Sequence, residues 1–469
     1  MVFSSLIFVF TFLPLVILAY YLVPRRFRHL VLLLFSLVFY SWGEPFYILL
    51  MILTASANYA SGLLLGYFEN NARRRRLILT ISVILNLAIL GFFKYYGFAA
   101  DNIRSLTGLD IGINAPVLPI GISFYTFQAM SYVIEVYQKK VPVQKNIISF
   151  GTFVTMFPQL VAGPIVKYSE IADQLEHRSE TPDLFGEGAQ EFIAGLAKKI
   201  LIANNIGMLW DTVKSTPFTE MTVMSSWLGI IAFSLQIYYD FSGYSNMATG
   251  MGKMFGFRFP ENFNYPYISR SITEFWRRWH ISLGSWFREY VYIPMGGNRV
   301  KNAALFRNLI VVWFLTGLWH GASWNFVLWG LYFGFFIAAE KLFLGKLLAK
   351  LPRFTGHTYM LLTVIFGWVL FEFEQLNEAA LFFKAMFGAG SNSLLTDSAS
   401  MYLLTSYLAV IAAAVICATP FPARAAAKLQ VKMGKAGTVV FPLLNAAMFF
   451  VSTAYMVNES YNPFLYFRF

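Results

Sequence analysis

The stretch from Leu309 to Ala339, LIVVWFLTGLWHGASWNFVLWGLYFGFFIAA, contains no Asp, Glu, Lys or Arg, and its one strongly ionisable group is His320. A run of about 20 apolar residues is enough to cross the hydrocarbon core of a bilayer, so this stretch reads as membrane. An imidazole at that depth is costly unless it is neutral, hydrogen-bonded or facing a watery cavity, and its default reading is functional. The alternative is a packing role, as a neutral His bonded to a neighbouring helix.

The rest of the chain agrees with the membrane reading. Its 469 residues are 57% hydrophobic and 13% charged, with a mean hydropathy of +0.57. Soluble domains carry about 25% charged residues, so the material for a solvated shell is missing. Repeated apolar runs therefore predict an all-α polytopic integral membrane protein. The net charge of +12 fits basic cytoplasmic loops near anionic headgroups and is no argument for nucleic acid. Cys417, the only cysteine, excludes an intrachain disulfide, a CxxC centre and a thiolate metal cluster. Its apolar setting disfavours the thiolate, which leaves packing as its role.

Positive charge sets the expected topology. The run Phe3–Val23 is too long for a signal-peptide core and ends in Pro24-Arg25-Arg26-Phe27-Arg28, so it reads as a first transmembrane helix with a cytoplasmic basic flank. Arg73–Arg76 and the loop bearing Arg424, Lys428, Lys432 and Lys435 are placed on the same side. Both termini are then extracytoplasmic, with Asn458–Phe469 outside, and the runs sum to about 11 crossings. Pro116 and Pro119, and Pro158, Gly163 and Pro164, interrupt two runs. Irregular backbone at membrane depth survives only where protein buries it or it lines a cavity, so a central tunnel with re-entrant pieces is expected. No internal repeat is visible, which weakens a transporter reading.

The segment 261–300 differs from the rest. From Ser271 to Tyr290, Ile272, Phe275, Trp276, Trp279, Leu283, Trp286, Phe287 and Tyr290 recur at helical spacing, opposite Glu274, Arg277, Arg278, Ser282, Ser285, Arg288 and Glu289. Ser271 and Glu274 fit a capping box. The pattern predicts one interfacial amphipathic helix with an aromatic and a basic face. It leaves His280, beside the aromatic face, unexplained.

No Gly-x-Ser-x-Gly elbow, His-Glu-x-x-His motif or Walker loop is present. His29, His177, His280, His320 and His357 are scattered, with no spacing that supports a metal site. His320 and His280 stand out as candidate general bases that need neither metal nor bound cofactor. Asp240, after an apolar run, is expected to orient an imidazole or, more in keeping with its place, to bond a broken helix end.

Three blocks then resemble a known family: Phe275-Trp276-Arg277-Arg278-Trp279-His280-Ile281-Ser282-Leu283, Tyr292-Ile293-Pro294-Met295-Gly296-Gly297-Asn298-Arg299 and Leu318-Trp319-His320-Gly321-Ala322-Ser323-Trp324-Asn325. They look like the signature blocks of the membrane-bound O-acyltransferases, closest to the bacterial branch typified by the alginate O-acetylation membrane subunit. Met156–Tyr168, Tyr239–Gly250, the opening residues Met1–Ser5 and the ending Asn462–Phe467 match as well.

The resemblance implies one membrane domain over 1–469, with a funnel on each side meeting near the family's reactive His. By motif that residue is His320, with His280 as the second family His and Trp319, Asn325, Arg277 and Arg278 in supporting places. It also implies a cytoplasmic acyl donor, acetyl-CoA by expectation, and passage of the group across the membrane. The chain shows no Ser nucleophile motif of its own. The expected partners are therefore an extracytoplasmic SGNH-type acetyltransferase and polysaccharide synthesis or export machinery, with the C-terminal tail as a docking edge. D-alanyl transfer to teichoic acid and a non-enzymatic transporter are the competing functions.

Overall fold

The computed structural model describes residues 1–109, 116–390, 392–458 and 465, and among them every regular element is helical. Among the described residues, eight helices are long and apolar enough to cross a membrane. The sequence predicts about 11 crossings. The difference lies in runs that fold as shorter helices, such as Phe8–Leu22, Arg28–Ser41 and Ile122–Tyr137.

The chain forms two compact units, Met1–Phe192 with Tyr244–Glu261, and Ile193–Gly243 with Asn262–Phe469. The first holds α1 (Phe8–Leu22), α2 (Arg28–Ser41), α3 (Ile48–Tyr67), α4 (Ala72–Thr107), α5 (Ile122–Tyr137), α6 (Ile147–Thr155), α7 (Phe157–Leu160) and α8 (Tyr168–His177). Two helices, α9 (Pro182–Lys214) and α10 (Val223–Met254), contribute to both units. The second adds α11 (Ile272–Arg278), α12 (Ile281–Phe287) and α13 (Asn302–His320). It continues with α14 (Trp324–Leu348), α15 (Arg353–Glu372), α16 (Leu376–Met386), α17 (Ser398–Cys417) and α18 (Phe421–Asn458).

Polar glue replaces the hydrophobic drive that lipid cannot supply between helices. Between α3 and α4, Asn58 and Asn86 exchange reciprocal amide bonds of 3.0 and 2.9 Å, both side chains buried. The proline-broken run is two helices, α6 and α7, separated at Met156, whose extended ψ of 113° stops the first. The break is buried in protein, as irregular backbone at this depth requires. The Phe157 amide donates to the Ser36 hydroxyl of α2 (3.0 Å), and the Gln159 side chain donates to the Phe153 carbonyl (2.5 Å). Gly121, at φ +74°, begins α5 against the Leu160 carbonyl, where a Cβ would come within 2.8 Å.

A buried cluster sits where α1 gives way to α2. Glu180 accepts from Tyr20 (2.7 Å) and pairs with Arg28 (2.9 Å) and Arg178 (3.4 Å), its own side chain only 6% exposed. Burial alone would raise its pKa. Hydrogen bonds from Tyr20 and Arg28 and the charges of Arg178 and Arg28 outweigh that and hold it below the ordinary value. The basic flank read from sequence as a topology signal thus also fixes the loop that follows α8.

In the second unit the core is aromatic. Trp276 packs on Trp313 (4.9 Å), Phe333 (4.9 Å) and Trp329 (5.4 Å), and Trp279 on Trp368 (4.9 Å). The apolar face expected to lie on the membrane surface is therefore buried against α13, α14 and α15. The expected single helix over Ser271–Tyr290 is also corrected. It breaks at Trp279–His280, because His280 adopts φ +45°, ψ +54° and cannot continue α11. The capping box is half right: the Ser271 hydroxyl accepts from the Glu274 amide (3.0 Å), while the Glu274 carboxylate reaches the Arg270 amide (3.0 Å).

Candidate active site

His320 does not lie within one continuous helix. The run 306–340 folds as a hairpin, with His320 the last residue of α13 and Gly321–Ser323 making the turn into α14. Glycines let the two backbones close on each other: a Cβ on Gly317 would land on the Phe326 carbonyl, and one on Gly330 on the Trp313 carbonyl. Helix α13 rises about 1.5 Å per residue, so its 19 residues put His320 roughly 28 Å from the Asn302 end. The imidazole is 7% exposed and stands edge-on to Trp329 (4.9 Å) and Phe371 (5.4 Å).

Asn325 holds this tip. Its amide donates to the carbonyls of Leu370 and Phe371, both at 3.3 Å, and its oxygen takes the Ser323 hydroxyl. The last turn of α15 is thereby tied to the hairpin, which places Phe371 on His320.

The second histidine comes to the same place. The Trp319 ring lies 5.8 Å from His280 and 5.1 Å from His320, so one indole stands against both imidazoles. His280 is 2% exposed, with Phe241 edge-on at 4.8 Å. It lies outside the eight spanning helices, and burial pushes its pKa down to about 3, so it is neutral at physiological pH.

A cleft of about 590 Å³ runs alongside, with His280, Trp276 and Trp313 in its wall. Arg277, Arg288 and Lys341 also line it, all three exposed, and no carboxylate does. Lys341 is steadied by the Tyr292 hydroxyl (3.0 Å) and Asn298 (2.7 Å). A neutral, partly aromatic channel rimmed by cations suits an elongated ligand with an anionic end.

The remaining sequence candidates separate. Arg278 pairs with Glu274 (3.0 Å) and donates to the Asn264 carbonyl (3.1 Å), so it braces α11. Asp240 is an ion-pair and anchoring residue: its carboxylate meets Lys199 at 2.6 Å and accepts the Leu465 amide at 2.8 Å. Leu465 is 3% exposed; the other residues of the tail beyond Asn458, on which the docking-edge expectation falls, lie outside the described residues. Sequence reasoning missed Asn262, Trp329, Phe371 and Lys341. None carried a spacing signal, because each reaches the site through tertiary packing.

The membrane-bound O-acyltransferase family profile matches residues 42–381, most of the chain and all of the cleft's lining. The protein belongs to this family. It is 39% identical to a probable alginate O-acetylase of Azotobacter vinelandii over the full length of both chains. It is 43% identical to a probable alginate O-acetylase of Pseudomonas aeruginosa, covering 83% of this chain and 76% of that one. A peptidoglycan O-acetyltransferase of Helicobacter pylori is 32% identical over 86% of this chain and 83% of its own. The chain is thus a multi-pass membrane O-acyltransferase. The cleft has His280 in its wall, while Trp319 and His320 lie outside its lining.

Proposed function

We propose that this O-acyltransferase takes an acetyl group from a cytoplasmic thioester donor, acetyl-CoA, and passes it across the bacterial inner membrane for O-acetylation of an exported polysaccharide. The observation that carries the reading is the joint presence of two buried imidazoles on one indole and a cleft whose fixed charges are all cationic. The names of the relatives favour acetyl as the group and a surface polymer as its destination. In this reading Arg277, Arg288 and Lys341 hold the donor's phosphates, and its thioester arm lies along Trp276 and Trp313 toward His280. His320 removes the proton of the acceptor hydroxyl as the new C–O bond forms. The C–S bond breaks, and the departing thiolate takes up the proton that His320 removed, so it leaves as the thiol.

The acceptor side belongs to an SGNH-type partner that completes transfer to the polymer outside. Basic loops lie in the cytoplasm and both termini outside.

The test is His320→Ala in a strain that makes the polymer. Acetyl ester should vanish while protein level and polymer export stay unchanged. Wild-type acetyl content would sink the reading, and a D-alanyl ester in the wild type would replace the acetyl assignment. Arg277→Ala with Arg288→Ala should raise the donor KM with little change in kcat.

A further inference from the structure

His280 sits in the left-handed backbone region, at φ +45°, which a β-substituted residue adopts only under steric strain. The segment that follows Glu261 holds it there. The Asn262 carbonyl accepts the Ile281 amide (3.0 Å), and the Asn264 amide donates to the Arg278 carbonyl (2.9 Å), so residues 262–264 clip both sides of the turn. The Asn262 side chain, 2% exposed, adds three contacts through one atom. Its Oδ1 accepts from the Ser282 amide (3.2 Å) and the Ser282 hydroxyl (2.9 Å), and it faces His280 Nδ1 at 3.1 Å.

Those contacts settle the imidazole's chemistry. A backbone N–H can only donate, so the Ser282 amide fixes which end of the Asn262 amide is oxygen; turning the amide over would set NH₂ against N–H. The Ser282 hydroxyl also lies 3.5 Å from Nδ1 but makes its shorter bond, 2.9 Å, to the Asn262 oxygen; with that acceptor opposite it at 3.1 Å, Nδ1 carries the proton. Nε2 is then the bare nitrogen. It is buried and has no hydrogen-bond partner among the described residues.

We infer that Asn262, oriented by Ser282, is a positioning residue of the acyl-transfer site: it locks His280 as the Nδ1–H tautomer and keeps Nε2 as a standing proton acceptor beside the cleft. The inference rests on His280 serving acyl transfer, but the tautomer can be read without any reaction. When Nε2 takes a proton, the charge formed is shared through Nδ1–H with the Asn262 oxygen, and no second proton has to move.

The experiment is solid-state NMR of the full chain, labelled with [15N]histidine, in lipid bilayers near neutral pH. The His280 signals are identified by their loss in His280→Gln. Wild type should show Nδ1 protonated and Nε2 bare; a protonated Nε2 would overturn the proposal outright. Asn262→Leu should lose that selection and lower kcat roughly 10–100-fold with KM within about twofold. Asn262→Asp should keep Nδ1–H, recover most of kcat, and shift the acid limb of the kcat profile to higher pH, because a carboxylate makes the imidazole more basic. An unshifted pH profile and an unchanged tautomer in both variants would reduce Asn262 to packing. Full acyl transfer in His280→Gln with the tautomer as expected would instead sink His280's part in the proposed reaction.

Discussion

Asp240 decides whether a carboxylate belongs to the chemistry of this site or only to its frame. Its side chain and that of Lys199 are each 3% exposed and stand 2.6 Å apart. Taking one charge from a buried pair strands the other and costs about 3–5 kcal/mol, whereas replacing both with apolar groups is often close to neutral. The Leu465 amide is a second dependent; a buried N–H left without its acceptor costs about 1–3 kcal/mol. Asp240→Leu should therefore lose about 4–8 kcal/mol in total if the two losses add. The double variant Lys199→Met/Asp240→Leu should lose only the Leu465 share. Asp240→Asn removes the charge yet keeps an oxygen for Leu465, and should fall between them. The assay is the temperature at which half of the detergent-solubilised protein leaves the monodisperse size-exclusion peak. At roughly 1–2 °C per kcal/mol for a chain of this size, the single and double variants should differ by several degrees. Polymer acetylation is measured in parallel at a temperature where all variants accumulate. An Asp240→Asn protein with a wild-type midpoint and no acetyl transfer would refute the structural assignment and return Asp240 to the catalytic set.

Three further outcomes are expected. Gly317→Leu, whose Cβ falls on the Phe326 carbonyl, should spread the α13–α14 hairpin and abolish acyl transfer, read as polymer acetyl content alongside the size-exclusion profile. Asn325→Ala strips two carbonyls at the end of α15 of their donor; a loss of about 1–3 kcal/mol in stability is expected, with a fall in kcat larger than any rise in KM. Glu180 has a folded-state pKa below its ordinary 4.5, so its contribution is complete above that value and lost as pH falls through the folded pKa. Wild-type stability should therefore drop on acidification below about pH 4.5, and Glu180→Gln, less stable at neutral pH, should show a shallower acid slope in the same thermal assay.

What the sequence revealed was what is encoded locally. Apolar runs and basic flanks report on one helix at a time, so the membrane class and most helix positions could be read directly. The break at Trp279–His280 could not. Apolar residues keep a period near 3.6 on both sides of it, and only the backbone turn at His280 shows that α11 and α12 are separate. Lys199, one of a pair with Lys198, and Asp240 were equally hidden, as charges in separate apolar runs until the fold set Lys199 and Asp240 together. The two histidines show why the family blocks carried more than periodicity did. Each sits at a helix discontinuity, His280 in the left-handed turn and His320 at the end of α13. There the backbone leaves the regular hydrogen-bond ladder and a side chain can be aimed. Each discontinuity is clamped by a buried asparagine: Asn325 ties the hairpin to α15, and Asn262 ties residues 280–282 to the preceding strand of chain. Asn325 lies five residues beyond its histidine and was caught within the motif. Asn262 lies eighteen residues before its own and could be found only in the fold. Trp319 then closes the gap between them, so a site with no single motif is built from two interrupted helices meeting on one indole.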